Sequence, residues 1–114
     1  MEVKDKDGNN IPVQKYYELR KSETDNHSWV WDRKNEAMKT HFSKVAWADA
    51  VLVLNCDKNN VKGYVGANTL IEMGIALHLG KKIFLMNQIP ELSCKEEILG
   101  MKPVVISGDL GNIK

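Results

Sequence analysis

The sequence predicts an α/β domain in three layers, a parallel sheet with helices on both faces. Apolar residues recur at helical spacing through "WVWDRKNEAMKTHFSKVAW" and fill "TLIEMGIALHL". Two continuous apolar runs, "AVLVLN" and "KIFLM", are too short for helices and suit strands of a parallel sheet. The two kinds of segment alternate along the chain, the pattern of right-handed strand–helix–strand crossovers.

Residues 1–27 are polar and rich in turn formers, "DKDGNN" and then "KSETDN", and are set apart as a polar N-terminal segment. Within them "YYELR" supports no more than a short helical turn. The domain is expected to occupy residues 28–114. Ser28 is the expected N-cap of its first helix, with Trp31, Met38, Phe42 and Val45 on the apolar face and Arg33, Lys34, Lys39 and Lys44 on the outer one.

"AVLVLN" follows as the first strand, and "CDKNNVKGYVGAN" as a long polar loop. The next helix ends at Gly80, a suitable C′ residue, with Lys81 and Lys82 beside its negative end. "KIFLM" is the second strand and "NQIP" a turn. "SCKEEIL" opens with Ser93 three residues before Glu96, a capping-box pattern. Gly100 stops that helix, and "PVVIS" is the third strand. The fold is therefore Rossmann/flavodoxin-like, with no leading strand–helix–strand unit legible before Ser28. Three strands make a thin sheet with apolar edges, which predicts cover by a second subunit, so a homo-oligomer is expected.

Composition narrows function by exclusion. Sixteen Lys and Arg face 15 Asp and Glu in 114 residues, for a formal net charge of +1. Such balance gives no electrostatic reason to expect a nucleic acid polymer or a membrane surface as partner. No apolar stretch is long enough to span a bilayer. Cys56 and Cys94 stand far apart without metal-ligand company, so free thiols, a reducing cytoplasmic setting and no metal or other cofactor are expected.

The residue that demands explanation is Glu72, one carboxylate inside an otherwise apolar helix. Thr69 and Glu72 fit a capping box, a purely structural role. Against this, no Lys or Arg shares the helix face of Glu72, and parallel α/β sheets bind ligands at the carboxyl ends of their strands. A carboxylate held between apolar neighbours and a helix N-terminus at the mouth of such a crevice is the kind of group enzymes use.

The segments "WADAVLVLN" and "ANTLIEMGIALHLGKKIFLM" resemble the nucleoside 2-deoxyribosyltransferase-like family, which includes deoxynucleoside 5′-monophosphate N-glycosidases. The resemblance covers roughly residues 36–107 and centres on the Glu-x-Gly-x-Ala pattern that begins at Glu72. It implies an N-glycoside-bond enzyme, hydrolase or transferase, acting on 2-deoxynucleosides or their 5′-monophosphates, with Glu72 as nucleophile on the sugar anomeric carbon. The family is also oligomeric. Its hydrolase branch carries an acid eight residues before the strand's aspartate, and here that position is His41, a candidate general acid. Where that branch places a phosphate-binding serine, this chain has Gly66. Asn55 and Asp57 at the strand end are candidates for sugar hydroxyls, Tyr64 for stacking on a base, and Asn68 for orienting Glu72 or capping its helix. The alternative is a non-catalytic nucleotide-binding or interaction module of the same fold.

Overall fold

The computed structural model describes residues 2–113. The chain divides into two compact units between His41 and Phe42, inside a helix rather than at Ser28 where the sequence changes character. The first unit corrects the reading of the polar segment. Strands β1 (Glu2–Lys4) and β2 (Asn10–Pro12) form an antiparallel hairpin, and helix α1 (Val13–Ser22) follows without a break. The Asp5 carboxylate accepts the Asp7 and Asn9 amides, both at 2.9 Å, and Gly8 takes a φ of +82° to close the turn. Helix α2 (Trp29–Trp47) then begins, with the Ser28 hydroxyl accepting from the Val30 amide at 3.2 Å, the expected cap. Its Arg33 fixes the hairpin by donating to the carbonyls of Lys4 and Asp5 at 2.6 and 3.1 Å. Tyr16 is buried, and its hydroxyl donates to the Val30 carbonyl at 3.2 Å.

The second unit is α/β. Strands β3 (Ala50–Val53), β4 (Lys82–Leu85) and β5 (Val104–Val105) form a parallel sheet in the order β3-β4-β5. Val51 lies opposite Ile83, and Leu85 opposite both Val53 and Val105. Helices α3 (Ala67–His78) and α4 (Lys95–Gly100) connect them. Met73 and Ala76 from α3, Ile98 from α4, Val53, Ile83 and Leu85 from the sheet and Val45 from the end of α2 make the core. Central strand β4 is buried at Ile83, Phe84 and Leu85, as its unbroken apolar run requires. Strand β3 departs from that expectation. It is an edge strand, and Leu52 and Leu54 are 36% and 65% exposed.

Both proposed capping boxes are corrected. α3 starts at Ala67 with Gly66 as N-cap and no side-chain cap bond, which places Thr69 and Glu72 inside the helix. α4 has Cys94 at its N-cap and likewise no side-chain cap bond, so Ser93 and Glu96 do not close one. In each case the helix boundary differs from the one the motif assumed, and a capping box works only when its serine or threonine is the boundary residue. The C-terminus of α3 is as read. Gly80 has a φ of +72°, its amide donates to the Leu77 carbonyl at 3.1 Å, and Lys81 donates to Ala76 at 2.9 Å, the Schellman pair. Cys56 and Cys94 are unbridged, and no described helix is long and apolar enough to cross a membrane.

Candidate functional site

Where β3 ends, the chain makes an ordered platform instead of a loose loop. Lys58 and Val61 exchange backbone hydrogen bonds at 3.1 and 2.9 Å across Asn59 and Asn60, whose φ values of 52° and 63° close a tight turn. The next residues return to the sheet at Gly63. There a φ of +69° combines with an approach so close that a Cβ would lie 2.1 Å from the Gln88 carbonyl oxygen. Only glycine fits both conditions.

Asn55 ties this platform down and is 1% exposed. Its Nδ2 donates to the carbonyls of Gly63, Asn87 and Gln88 at 3.2, 3.1 and 3.0 Å. Its Oδ1 accepts the Asn87 amide at 2.8 Å, and the Asn87 side chain donates back to the Asn55 carbonyl at 2.9 Å. Both polar ends of the Asn55 amide are thus engaged by protein groups, and the residue anticipated to bind sugar clamps β3 to the chain after β4. Asp57 contributes to the same support, with Oδ1 accepting the Gly63 amide at 3.0 Å. A signal was legible, because β3 and β4 both run into an asparagine, but pairing the two requires knowing that the strands are neighbours.

Two cavities lie between this platform and the start of α3. One, of about 280 Å³, is lined by β3 from Val51 to Asn55 together with Tyr64, Thr69 and Glu72. The other, of about 510 Å³, is lined by Asp57, Lys58, Tyr64, Gly66 and Asn68 among others. They share Leu54, Tyr64 and Thr69 and so adjoin along one groove at the carboxyl end of β3. Tyr64 is half-buried, and the Lys58 ammonium stands 5.6 Å from its ring centroid.

The groove gathers Glu72, Asn55, Asp57, Tyr64, Gly66 and Asn68, the anticipated residues of the second unit. His41 is an exposed residue of α2 in the first unit. Thr69 and Lys58 were not anticipated; Thr69 lines both cavities because α3 begins two residues earlier than its apolar run does. Among the described residues no group of three His, Cys, Asp or Glu is placed to hold a metal ion.

The fold and groove together define a small α/β protein with a concave site at the end of a parallel strand. In comparison with known proteins, no family model matches the chain, and neither a curated protein nor a solved structure matches it.

Proposed function

We propose that this chain is an N-glycoside-bond enzyme of the nucleoside 2-deoxyribosyltransferase-like kind, acting on 2-deoxynucleosides or their 5′-monophosphates with Glu72 as nucleophile. The observation that carries this reading is that Glu72 lines a cavity at the carboxyl end of β3, which a capping carboxylate need not do. On this reading the three-stranded sheet is the later part of a Rossmann-like fold with helices on both faces. A sugar sits in the smaller cavity, and the rest of the ligand occupies the adjoining one.

The chemistry has two steps. A Glu72 carboxylate oxygen attacks C1′ as the bond from C1′ to the base nitrogen breaks, through an oxocarbenium-like state. The departing base keeps the bonding electrons and takes a proton from solvent or a general acid. Water, or a second base, then displaces Glu72 from C1′. Tyr64 offers a ring face to the base. The α3 amides after Gly66, which no side chain caps, offer donors to a 5′-phosphate.

Incubation with each deoxynucleoside and its monophosphate, followed by chromatography of free base, tests the proposal. Glu72→Gln should lower base release by on the order of 10⁴-fold. Failure of every substrate at high protein concentration removes the enzyme reading. A non-catalytic nucleotide-binding module is then favoured by the thin sheet and by Gly66, which offers no side-chain oxygen. That module predicts a ligand-dependent rise in Tm without free base.

A further inference from the structure

A third cavity, of about 360 Å³, lies at the other end of the sheet from the groove, where β4 and β5 begin. Phe84, Met101 and Val104 line it, together with Lys81, Lys82 and Lys102, and none of its described lining residues is acidic. Phe84 and Val104 are partners across the β4–β5 ladder, so their side chains share one face of the sheet. Phe84 is buried there, whereas Val104 is 49% exposed, which leaves apolar surface open beside three cations.

Lysines beside helix C-termini are ordinary, and Lys81 and Lys82 directly follow the end of α3. Lys102, just past α4, has a feature that such a role does not require. Its φ is +52°, in the left-handed region, and Pro103 follows it, although the residue before a proline favours extended backbone. A helix commonly ends with one residue in this conformation, and that residue is usually glycine, which adopts it without strain. Here a lysine holds the position against its local preference, and it lines an apolar cavity.

We propose that this cavity binds a small organic acid, a carboxylate on an alkyl or aryl body. The body lies against Phe84, Met101 and Val104, and the carboxylate is held among Lys81, Lys82 and Lys102. Charge complementarity selects the head group, since three cations and no acid line the site. The apolar residues select a body that an inorganic anion lacks. The volume falls near the low end of the roughly 300–1,000 Å³ of small-molecule sites. A formal net charge of only +1 supplies no broad basic field of the kind that draws a membrane surface. The site shares no lining residue with the groove beside Glu72, so it stands or falls apart from the enzyme reading.

Titration of the full chain with sodium octanoate tests this, followed by NMR through the methyl signals of Met101 and Val104. Saturable shifts of both are expected, with a Kd of about 1 mM. Octanamide has the same length without the charge and should bind about tenfold more weakly. Lys102→Gly should raise the Tm of the free chain while weakening octanoate binding about threefold, because strain is relieved and one charge contact is lost. A lysine with a purely structural role would give the stability change alone. Lys81→Gln, at a position without positive φ, should weaken binding to a similar extent. The proposal is overturned if octanoate leaves both methyls unmoved, if octanamide binds as tightly, or if neither variant changes the affinity. Shifts confined to Val51 and Val53 would put the acid in the groove and overturn it equally. So would binding to vesicles of phosphatidylserine and phosphatidylcholine with none to free octanoate, which would make this face a membrane contact.

Discussion

Asn55 shows how one buried residue can hold the end of a strand and the loop beside it in place. Replacing it with alanine leaves the Asn87 amide and three carbonyls without the partner they have now. Because abandoned buried groups carry most of the cost, Asn55→Ala should destabilise the chain by about 2–4 kcal/mol, read from the shift of a urea unfolding midpoint. Tyr16 contributes to behaviour at high pH. Burial pushes its hydroxyl above the ordinary 10.0, with Arg20 and Arg33 opposing. Below pH 10 both folded and unfolded chains keep the proton, and its contribution is fully present. Above pH 10 the unfolded chain releases its proton first, so stability falls as pH rises through the folded value. Tyr16→Phe should flatten that alkaline decline relative to the unmodified chain, measured by unfolding midpoints across the same pH range.

Among the elements, α3 has the clearest division between what its sequence encodes and what its setting adds. Its apolar run and Gly80 stop are local signals, and they place the body and C-terminus correctly. Its N-terminus is set by Gly66, whose φ of −80° and ψ of 169° suit an N-cap but which has no side chain to act as one. A Cβ there would sit 3.7 Å from Tyr64 Cε1, an ordinary contact. Gly66→Ser should therefore raise stability by about 0.5–1 kcal/mol, through the cap and a less flexible unfolded chain, seen as a higher Tm. If the proposed function holds, the same variant should bind 5′-monophosphates more tightly than the parent does. The hairpin and α1 were hidden from sequence reading for another reason. Their order rests on Asp5 bonds to nearby amides, on Arg33 bonds to the hairpin carbonyls and on buried Tyr16, none of which leaves an apolar period in a polar segment.

Across the molecule, the second unit depends on one core fed by every element. Met73 is wholly buried at its centre, beside residues from α2, α4 and the sheet. Met73→Ala should cost about 2–5 kcal/mol, measured by chemical denaturation, because neighbours held by the sheet cannot collapse into the space. The sequence by itself determined the α/β class, the parallel strands, the stop of α3 and the position of Glu72 on it, since periodicity, apolar runs and glycine act within a few residues. Tertiary structure alone decided that Asn55 and Asn87 meet, that Gly63 passes against Gln88, that β3 lies at an edge, and that Glu72 borders a cavity instead of a helix cap. Those outcomes depend on which distant backbones become neighbours, and hydrogen bonds and close contacts between them leave no periodic trace in the chain.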